Sequence, residues 1–257
     1  MQNNTFSALF VGQNLLTLKA VNSTNDFLKN LLSNSKPLPE GTVIMAEDQF
    51  AGRGQQENKW HSDPGKNLTV SLLLTPTFLA VDEQFDLNRV ISLGVVDALE
   101  PLVGNDLKIK WPNDIYYGDK KLGGILIENS IQGPQLKHAI IGIGLNINQD
   151  SFPADARNAT SLKQILHKDY DLRVLLSDIC SHIEAWYLKL RAAKKETVRI
   201  AYLDRLYWLN QQKQFRSNNN TFTGVITNVK NNGLLVVINE QSAELEFSLK
   251  EIEFLNK

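Results

Sequence analysis

The spacing of hydrophobic residues changes several times along the chain, and each spacing predicts a different helix. In residues 86–103 apolar side chains occur nearly all round the helical turn, which predicts a central, buried helix. In residues 172–190 they recur every three or four positions, which predicts a long amphipathic helix. A further helix is expected over residues 196–209, and another after the capping residues 22–26.

Shorter apolar runs predict strands. Residues 42–46 and 67–74 are typical of buried strands. Residues 139–148 alternate large apolar residues with glycine or asparagine, so one face packs in a core and the other stays bare. Such a strand suits the floor of a pocket, with Asn146 and Asn148 projecting from the bare face. A glycine-weakened strand crossed by a helix is the alternative.

A hairpin is predicted in the middle of the chain. Apolar residues alternate with charges up to Trp111, and Pro112 then ends the ladder because it has no backbone donor. Residues 116–117 and 125–127 are expected to be strands joined by residues 118–120. This hairpin would carry Asn113 and Asp114 at one end and Lys121 just past the turn. An ordinary hairpin with solvated charges is the competing interpretation.

Composition changes at Asn210. Beyond it, four short strands are predicted over residues 213–215, 221–227, 234–239 and 243–248, separated by turn-forming residues. This pattern indicates a small β-barrel or sandwich. We therefore expect a main domain over residues 1–210 and a small β-domain over residues 211–257.

The overall composition limits the class of protein. The 257 residues are 42% hydrophobic and 21% charged, as in ordinary soluble globular proteins. A net charge of -1 gives no general affinity for nucleic acid or anionic membranes. No segment predicts a membrane span. The single cysteine, Cys180, falls on the apolar face of a predicted helix, where we expect a buried, inert thiol. A cytoplasmic protein is the expectation.

Two short motifs carry candidate chemistry. Glycines flanking Arg53 permit backbone paths that leave N–H groups free to face an anion. The segment matches neither a phosphate-binding P-loop nor the dinucleotide fingerprint, and a mobile surface loop is the simpler interpretation. Ser23 and Thr24 stand at the start of a predicted helix, either as plain capping residues or as donors to a polar ligand.

Together these segments resemble the biotin protein ligases, which attach biotin to a lysine of carboxylase carrier domains. The resemblance rests on residues 23–25, 49–60, 110–128 and 142–148, which occur in the family's order. It implies an α+β catalytic domain related to class II aminoacyl-tRNA synthetases, with a mixed or antiparallel sheet, and a small C-terminal SH3-like β-barrel. It also implies two half-reactions: biotin and ATP give biotinyl-5′-AMP and pyrophosphate, and a carrier lysine then displaces AMP.

The resemblance assigns roles to particular positions. It implies that the catalytic residues are Lys121, Arg53 and Asp114. The implied biotin contacts are Ser23, Thr24, Gln49, Gly52, Arg53, Lys121 and Gly124. The implied nucleotide contacts are Arg53, Gly54, Trp60, Asn113, Lys121 and Asn146. Mg²⁺ is expected to arrive with ATP rather than at a protein metal site.

The resemblance further implies a carrier protein as partner, with no membrane and no nucleic acid, since residues for the N-terminal helix-turn-helix domain of some members are not seen. A monomer or a homodimer is expected. Gln55, Glu57 and Asn58 stand where many members have basic loop residues, so Arg53 and Lys121 carry more of the charge.

Three questions stay open at this point. Lipoate–protein ligases share the fold and the adenylation logic, although the Lys-Trp-Pro-Asn-Asp segment favours biotin. A non-catalytic binding module is a reading from another class, and the glutamates of residues 240–253 argue against nucleic acid as its partner. Asp114 could orient or deprotonate the acceptor amine, bind Mg²⁺ or contact the biotin ureido group.

Overall fold

A seven-stranded sheet forms the centre of the structure, a computed structural model that describes residues 7–34, 37–55, 58–156 and 158–255. In spatial order its strands are β1 (Leu15–Val21), β2 (Val43–Gln49), β5 (Leu68–Leu74), β9 (Gln135–Leu145), β8 (Lys120–Gln132), β7 (Asp114–Tyr117) and β6 (Leu107–Lys110). Only β1 and β2 run parallel among these neighbours, so the predicted mixed sheet is confirmed. Two further strands, β3 (Gly52–Arg53) and β4 (Lys59–Trp60), pair as a separate small hairpin.

The helices are α1 (Thr24–Asn34), α2 (Phe85–Val103), α3 (Leu162–Leu166), α4 (Leu172–Arg191) and α5 (Lys195–Asp204). The prediction of a central buried helix is confirmed, since α2 lies in the main hydrophobic core. Helix α4 comes so close to it that a Cβ on Gly94 would lie 2.6 Å from Cγ1 of Ile183. A glycine is therefore required where these two helices meet.

The prediction that the last helix continues to residue 209 is wrong. Helix α5 ends at Asp204 because the following backbone pairs with the edge strand β6. The N–H of Ile109 donates to the carbonyl of Arg205 at 2.9 Å, and the N–H of Tyr207 donates to the carbonyl of Ile109 at 2.9 Å. This pairing covers part of a sheet edge that would otherwise expose unpaired backbone groups. Strand β1 at the opposite edge was not predicted from the sequence.

The two faces of the sheet have different partners. One face packs against α2 and the main core. The other carries α1 over a smaller apolar cluster made by Leu28, Ile44, Leu73 and Ile140. Beyond this cluster, the same face shows polar residues and glycines instead of large apolar side chains. The second face therefore has an open half, and the candidate site lies there.

The C-terminal residues form a separate antiparallel sheet. Its strands are β10 (Gln212–Ser217), β11 (Asn220–Val229), β12 (Leu235–Asn239), β13 (Glu244–Phe247) and β14 (Glu253–Phe254), in the order β13-β12-β11-β10-β14. The four predicted strands are confirmed, and β14 is an additional one. The division into domains at residue 210 stays a prediction.

The turn between β11 and β12 is anchored to the rest of the chain by buried donors. Arg89 is 1% exposed and donates to the carbonyls of Val229 at 3.0 Å and Lys230 at 2.7 Å. Its charge is matched by Asp86, which is fully buried and also pairs with Arg199. The indole N–H of Trp111, which precedes a cis proline, donates to the carbonyl of Gly233 at 2.9 Å. These bonds fix the C-terminal sheet beside the residues of the central hairpin.

Two expectations from composition concern Cys180 and membranes. Cys180 is buried, as predicted, and burial raises its pKa to about 12. The thiol is therefore almost wholly protonated near neutral pH and unreactive.

In the part of the chain that the structure describes, no helix combines the length and the apolar character that crossing a membrane requires.

Replacing Arg89 should destabilise the fold strongly. Arg89→Met would leave Asp86 with one cation and would remove the guanidinium donor from the carbonyls of Val229 and Lys230. Breaking a buried pair in this way costs about 3 kcal/mol or more. Arg216→Met is the matched control, because its ion pair with Glu253 is solvent-exposed and contributes less than about 1 kcal/mol. Urea unfolding measures both. Equal losses of unfolding free energy would contradict the anchoring role of Arg89.

Candidate active site

A cavity of about 350 Å³ lies over the open half of the sheet, next to the start of α1. Most of the residues singled out from the sequence line it: Ser23, Thr24, Gln49, Arg53, Gly54, Trp60, Asn113, Asp114, Lys121 and Gly124. We call it the main cavity. Gly52 is not among its lining residues; it pairs with Trp60 in the β3–β4 hairpin and lines a neighbouring cavity.

A β-bulge in β8 directs Lys121 into the main cavity. Strand β7 pairs Asp114 with Gly124 and Ile115 with Gly123, but Tyr116 then pairs with Lys121, so Leu122 is an extra residue. Residues three apart on a regular strand point to opposite faces, and one extra residue restores them to the same face. Lys121 Nζ accordingly lies 3.4 Å from where a Cβ of Gly124 would be.

Lys121 and Asp114 form an ion pair in the middle of the cavity. Nζ of Lys121 lies 2.7 Å from Oδ1 of Asp114, and both side chains are about one-third exposed. The backbone of Lys121 is held on its other side by the carbonyl of Asn158 at 2.6 Å. Asn113 is buried, and its amide donates to the carbonyl of Ile125, so it holds the neighbouring backbone in place.

The glycines of β9 allow two side chains to lie directly on the sheet. A Cβ on Gly142 would lie 2.7 Å from Oδ1 of Asn25, and one on Gly144 would lie 2.5 Å from Cε2 of Trp60. The expectation that this face is bare is therefore only partly right. The strand does form the floor of the cavity, but Asn25 and Trp60 cover its glycines.

A chain of polar contacts lies at the α1 end of the main cavity, where Thr24, Asn25 and Gln49 line it. Oε1 of Gln49 accepts from the backbone N–H of Thr24 at 2.9 Å and from its hydroxyl at 3.1 Å. Oγ of buried Ser71 lies 2.7 Å from Oγ1 of Thr24 and 2.5 Å from Oδ1 of Asn25. The amide of Asn25 donates to Glu128 at 2.7 Å. Fixed donors and acceptors of this kind can orient a polar ligand before it binds.

Arg53 lies across the edge of the cavity, between α1 and β8. Its guanidinium pairs with Asp26 at 2.6 Å and with Glu128 at 3.0 Å. Within this segment β3 pairs with β4 as a hairpin, and the mobility of the loop stays a prediction. Of the less basic loop positions, Gln55 and Asn58 line the main cavity, whereas Glu57 is outside the described residues.

A second cavity, of about 580 Å³, adjoins the first. Trp60, Lys121 and Asn146 line it together with an apolar wall of Phe152, Pro153, Ala154, Ala156 and Ala159. Lys121 and Trp60 therefore belong to both cavities. The indole N–H of Trp60 is buried and has no hydrogen-bond acceptor among the described residues, which marks it as a donor for a ligand or a water molecule.

The predicted orientation of two asparagines is wrong. Strand β9 ends at Leu145, so Asn146 and Asn148 follow the strand and do not project from its floor. The amide of Asn146 donates to the carbonyl of Thr160 at 3.0 Å, and that of Asn148 donates to the carbonyl of Tyr170 at 2.8 Å. Both amides hold loops, and Asn146 in this way shapes the second cavity.

Several polar side chains of the site were not singled out from the sequence: Asp26, Ser71, Asn25 and Glu128. Asn25 and Glu128 lie inside the segments that carry the family resemblance, and Asp26 follows one of them. Ser71 gives no signal in the sequence, because it resembles any small residue of a buried strand.

Within the described ranges, no group of three or more His, Cys, Asp or Glu side chains could hold a metal ion.

Comparison with known proteins places this geometry in a known architecture. The biotin protein ligase from Aquifex aeolicus in complex with biotin and ATP superposes with a TM-score of 0.79 at 28% identity, over 95% of this chain and all of that one. The bifunctional ligase/repressor BirA of Bacillus spizizenii is 30% identical over 241 residues, 93% of this chain and 73% of that protein. The biotin–[acetyl-CoA-carboxylase] ligase of Paracoccus denitrificans is 28% identical over 76% of this chain and 82% of its own length.

The fold is thus the α+β fold of the biotin protein ligases. It has a mixed central sheet and a separate C-terminal β-sheet. A family model for the Biotin/lipoate A/B protein ligase family matches residues 17–146, which include most of β1, all of β2 to β9 and the lining of the main cavity from Ser23 to Gly144. The chain belongs to this family.

The two floor glycines should respond differently to an added methyl group. Gly144→Ala displaces the ring of Trp60 and should weaken ligand binding in both cavities, because Trp60 lines both. Gly142→Ala meets Asn25 and should affect the main cavity alone. Isothermal titration with biotin and, separately, with ATP, the two ligands of the Aquifex relative, measures the effects. If Gly142→Ala weakens both ligands equally, the two cavities do not act as separate subsites.

Proposed function

We propose that this protein is a biotin–protein ligase, which activates biotin with ATP as biotinyl-5′-AMP and transfers biotin to a lysine of a biotin carboxyl carrier domain. The observation that carries the proposal is the position of Lys121, a cation shared by two adjoining cavities. A reaction that joins a carboxylate to a nucleotide phosphate requires such a shared cation. The family and the ligand-bound Aquifex relative support this assignment.

Biotin is assigned to the main cavity in one orientation. The ureido ring needs both donors and acceptors, which Ser23, Thr24 and Gln49 offer at the α1 end. Its carboxylate then extends toward Lys121. Gly124 leaves room for the ligand there, since the nearest atoms to a Cβ at this position belong to Asp114 and Lys121.

The nucleotide is assigned to the second cavity and to the junction. An adenine ring suits the apolar wall of the second cavity, with the indole N–H of Trp60 and Asn146 among the polar groups nearby. The α-phosphate would then lie beside Lys121. Arg53, Gly54 and Asn113 line the main cavity instead, so their proposed nucleotide contacts concern the adenylate rather than the base.

Activation brings two anions together, and the site offsets their charge. A carboxylate oxygen forms a bond to the α-phosphorus, the bond from that phosphorus to the bridging oxygen breaks, and pyrophosphate leaves with the electron pair. Lys121 acts as a point charge on the developing negative charge, and Arg53 can bind two oxygens at once. Mg²⁺ on ATP would supply further charge neutralisation, and a phosphate-held Mg²⁺ needs only one or two carboxylates, for which Asp114 is the candidate.

Both cations are already paired before substrate binds. Lys121 holds Asp114, and Arg53 holds Asp26 and Glu128. Binding of an anionic ligand therefore exchanges one negative partner for another. Exchange at Lys121 releases Asp114 at the reaction centre, where it can orient or deprotonate the acceptor amine that attacks the carbonyl carbon and displaces AMP.

The remaining assignments follow the same proposal. The catalytic part is assigned a class II aminoacyl-tRNA-synthetase-like fold and the C-terminal sheet an SH3-like barrel. The partner is a carrier domain, in the cytoplasm, and the enzyme acts as a monomer or a homodimer.

Exchange of labelled pyrophosphate into ATP tests the function. Exchange should require biotin, and lipoate should support it far less. A polar pocket built for the ureido ring leaves hydrogen-bonding groups unpaired when that ring is missing, which discriminates strongly. Assays with biotin, lipoate or neither give the comparison. Equal exchange with lipoate would transfer the assignment to the lipoate branch of the family.

Arg53 and Lys121 should fail at different steps. Lys121→Ala should slow the formation of biotinyl-5′-AMP on the order of a hundredfold, because a prepositioned charge at the α-phosphate is lost. Arg53→Ala should leave formation less affected and release the intermediate faster, because Arg53 closes the edge of the main cavity.

Single-turnover formation of the intermediate, followed by a chase, measures both effects. Lys29→Ala is a suitable control because it removes an α1 cation outside the main cavity. Adenylate formation at the wild-type rate in Lys121→Ala, or unchanged retention in Arg53→Ala, would refute this division of roles.

A further inference from the structure

We propose that Lys110 is an additional catalytic residue, which binds the pyrophosphate end of ATP and stabilises the leaving group during adenylation. This inference rests on the proposed function. It assigns a role to a side chain that lines the main cavity at the end opposite to Ser23 and Thr24. Its position, its surroundings and its lack of a carboxylate partner carry the argument.

Lys110 is surrounded by aromatic rings. Its Nζ lies 4.6 Å from the ring centroid of Tyr116, 5.0 Å from that of Phe254 and 5.8 Å from that of Tyr207. Its hydrogen bond goes to the hydroxyl of Tyr116 at 3.3 Å. Ring faces attract a cation without neutralising it.

No carboxylate within the described ranges forms an ion pair with Lys110, in contrast to Lys121 and Arg53. Burial lowers the pKa of Lys110, Lys121 lowers it further, and Asp114 and Asp119 raise it. Lys110 pairs with Asp114 across β6 and β7, and Asp114 binds Lys121, so the two lysines line the same part of the main cavity. A partly buried cation beside another cation is stabilised when an anion arrives, because the anion compensates the lost hydration. The surroundings of Lys110 therefore favour a strongly negative ligand.

The order of strands places Lys110 on the leaving-group side. Ser71 and Gly142, at the α1 end, belong to β5 and β9, Lys121 belongs to β8, and Lys110 belongs to β6. Strands lie about 4.8 Å apart, so β6 is roughly 10 Å beyond β8 in the direction away from α1. A carboxylate that approaches the α-phosphorus from the α1 side expels pyrophosphate in the opposite direction. That direction leads toward β7 and β6, where Lys110 lies.

The C-terminal sheet holds one wall of this position. Phe254 of β14 stacks on Trp208 with centroids 5.6 Å apart and meets the edge of Phe215 at 5.4 Å. Trp208 and Phe215 thus hold the ring of Phe254 in place independently of its contact with Lys110. Phe254 is a positioning residue in this proposal, since it restricts where the ammonium group can lie.

The decisive experiment separates the two half-reactions. Lys110→Met keeps the length of the side chain and removes its charge. In single-turnover assays it should slow adenylate formation from biotin and ATP by about a hundredfold, the usual effect of losing one prepositioned charge contact. Transfer from supplied synthetic biotinyl-5′-AMP to a carrier domain should proceed at the wild-type rate, because no pyrophosphate leaves in that step. Affinity for biotin alone should not change.

Three further variants complete the test. Lys108→Met is the matched control, because Lys108 lies two residues away on the same strand and face, outside both cavities, and it should adenylate normally. Lys110→Arg keeps the charge and should recover part of the rate. Phe254→Leu should slow adenylation less than Lys110→Met, again with normal transfer from biotinyl-5′-AMP.

The possible results distinguish this inference from the proposed function. Slow transfer from supplied biotinyl-5′-AMP, or weakened biotin binding in Lys110→Met, would overturn the leaving-group role and indicate a structural or carboxylate-binding role. A wild-type adenylation rate in Lys110→Met would also overturn it. If the wild-type protein forms no biotinyl-5′-AMP at all, the proposed function itself is wrong.

Discussion

The arrangement of the site depends on a single extra residue in one strand. Leu122 interrupts the pairing of β7 with β8, and its own side chain is completely buried. Without the bulge, Lys121 would pair with Tyr117 and point to the opposite face from Asp114 and Gly124. The burial of Leu122 in the core therefore fixes the direction of the Lys121 side chain. The packing of Leu122 in the core thus determines which side chain of β8 enters the main cavity.

Two cations of the site are paired with carboxylates before any ligand is present. Arg53 and Lys121 have carboxylate partners, and the exposed part of each pair is screened by water, so these ion pairs contribute little stability themselves. Their value lies in keeping flexible side chains in place at small cost. The partners can be exchanged for ligand oxygens because neither pair is deeply buried. Asp86 and Arg89 show the opposite case, where complete burial makes a pair permanent and structural.

Much of the fold could be predicted because hydrophobic spacing decides which face of an element is buried. The all-round apolar pattern of α2 and the short strands of the C-terminal sheet follow directly from it. Contacts between distant segments could not be predicted in this way. The end of α5 depends on pairing with β6, and the roles of Asn146 and Asn148 depend on loops that they hold. Ser71 is part of the site only because α1 lies over β5, where the hydroxyl of Ser71 contacts Thr24 and Asn25.

The wall shared by the two cavities has a thermodynamic consequence. Trp60 and Lys121 touch both spaces, so a ligand that orders these side chains from one cavity changes the free energy of binding in the other. Linkage makes this effect reciprocal: the factor by which the first ligand changes the affinity of the second equals the factor in the reverse direction. The coupling needs no movement of the sheet or of the domains. Side chains that line both cavities are enough for such a coupling.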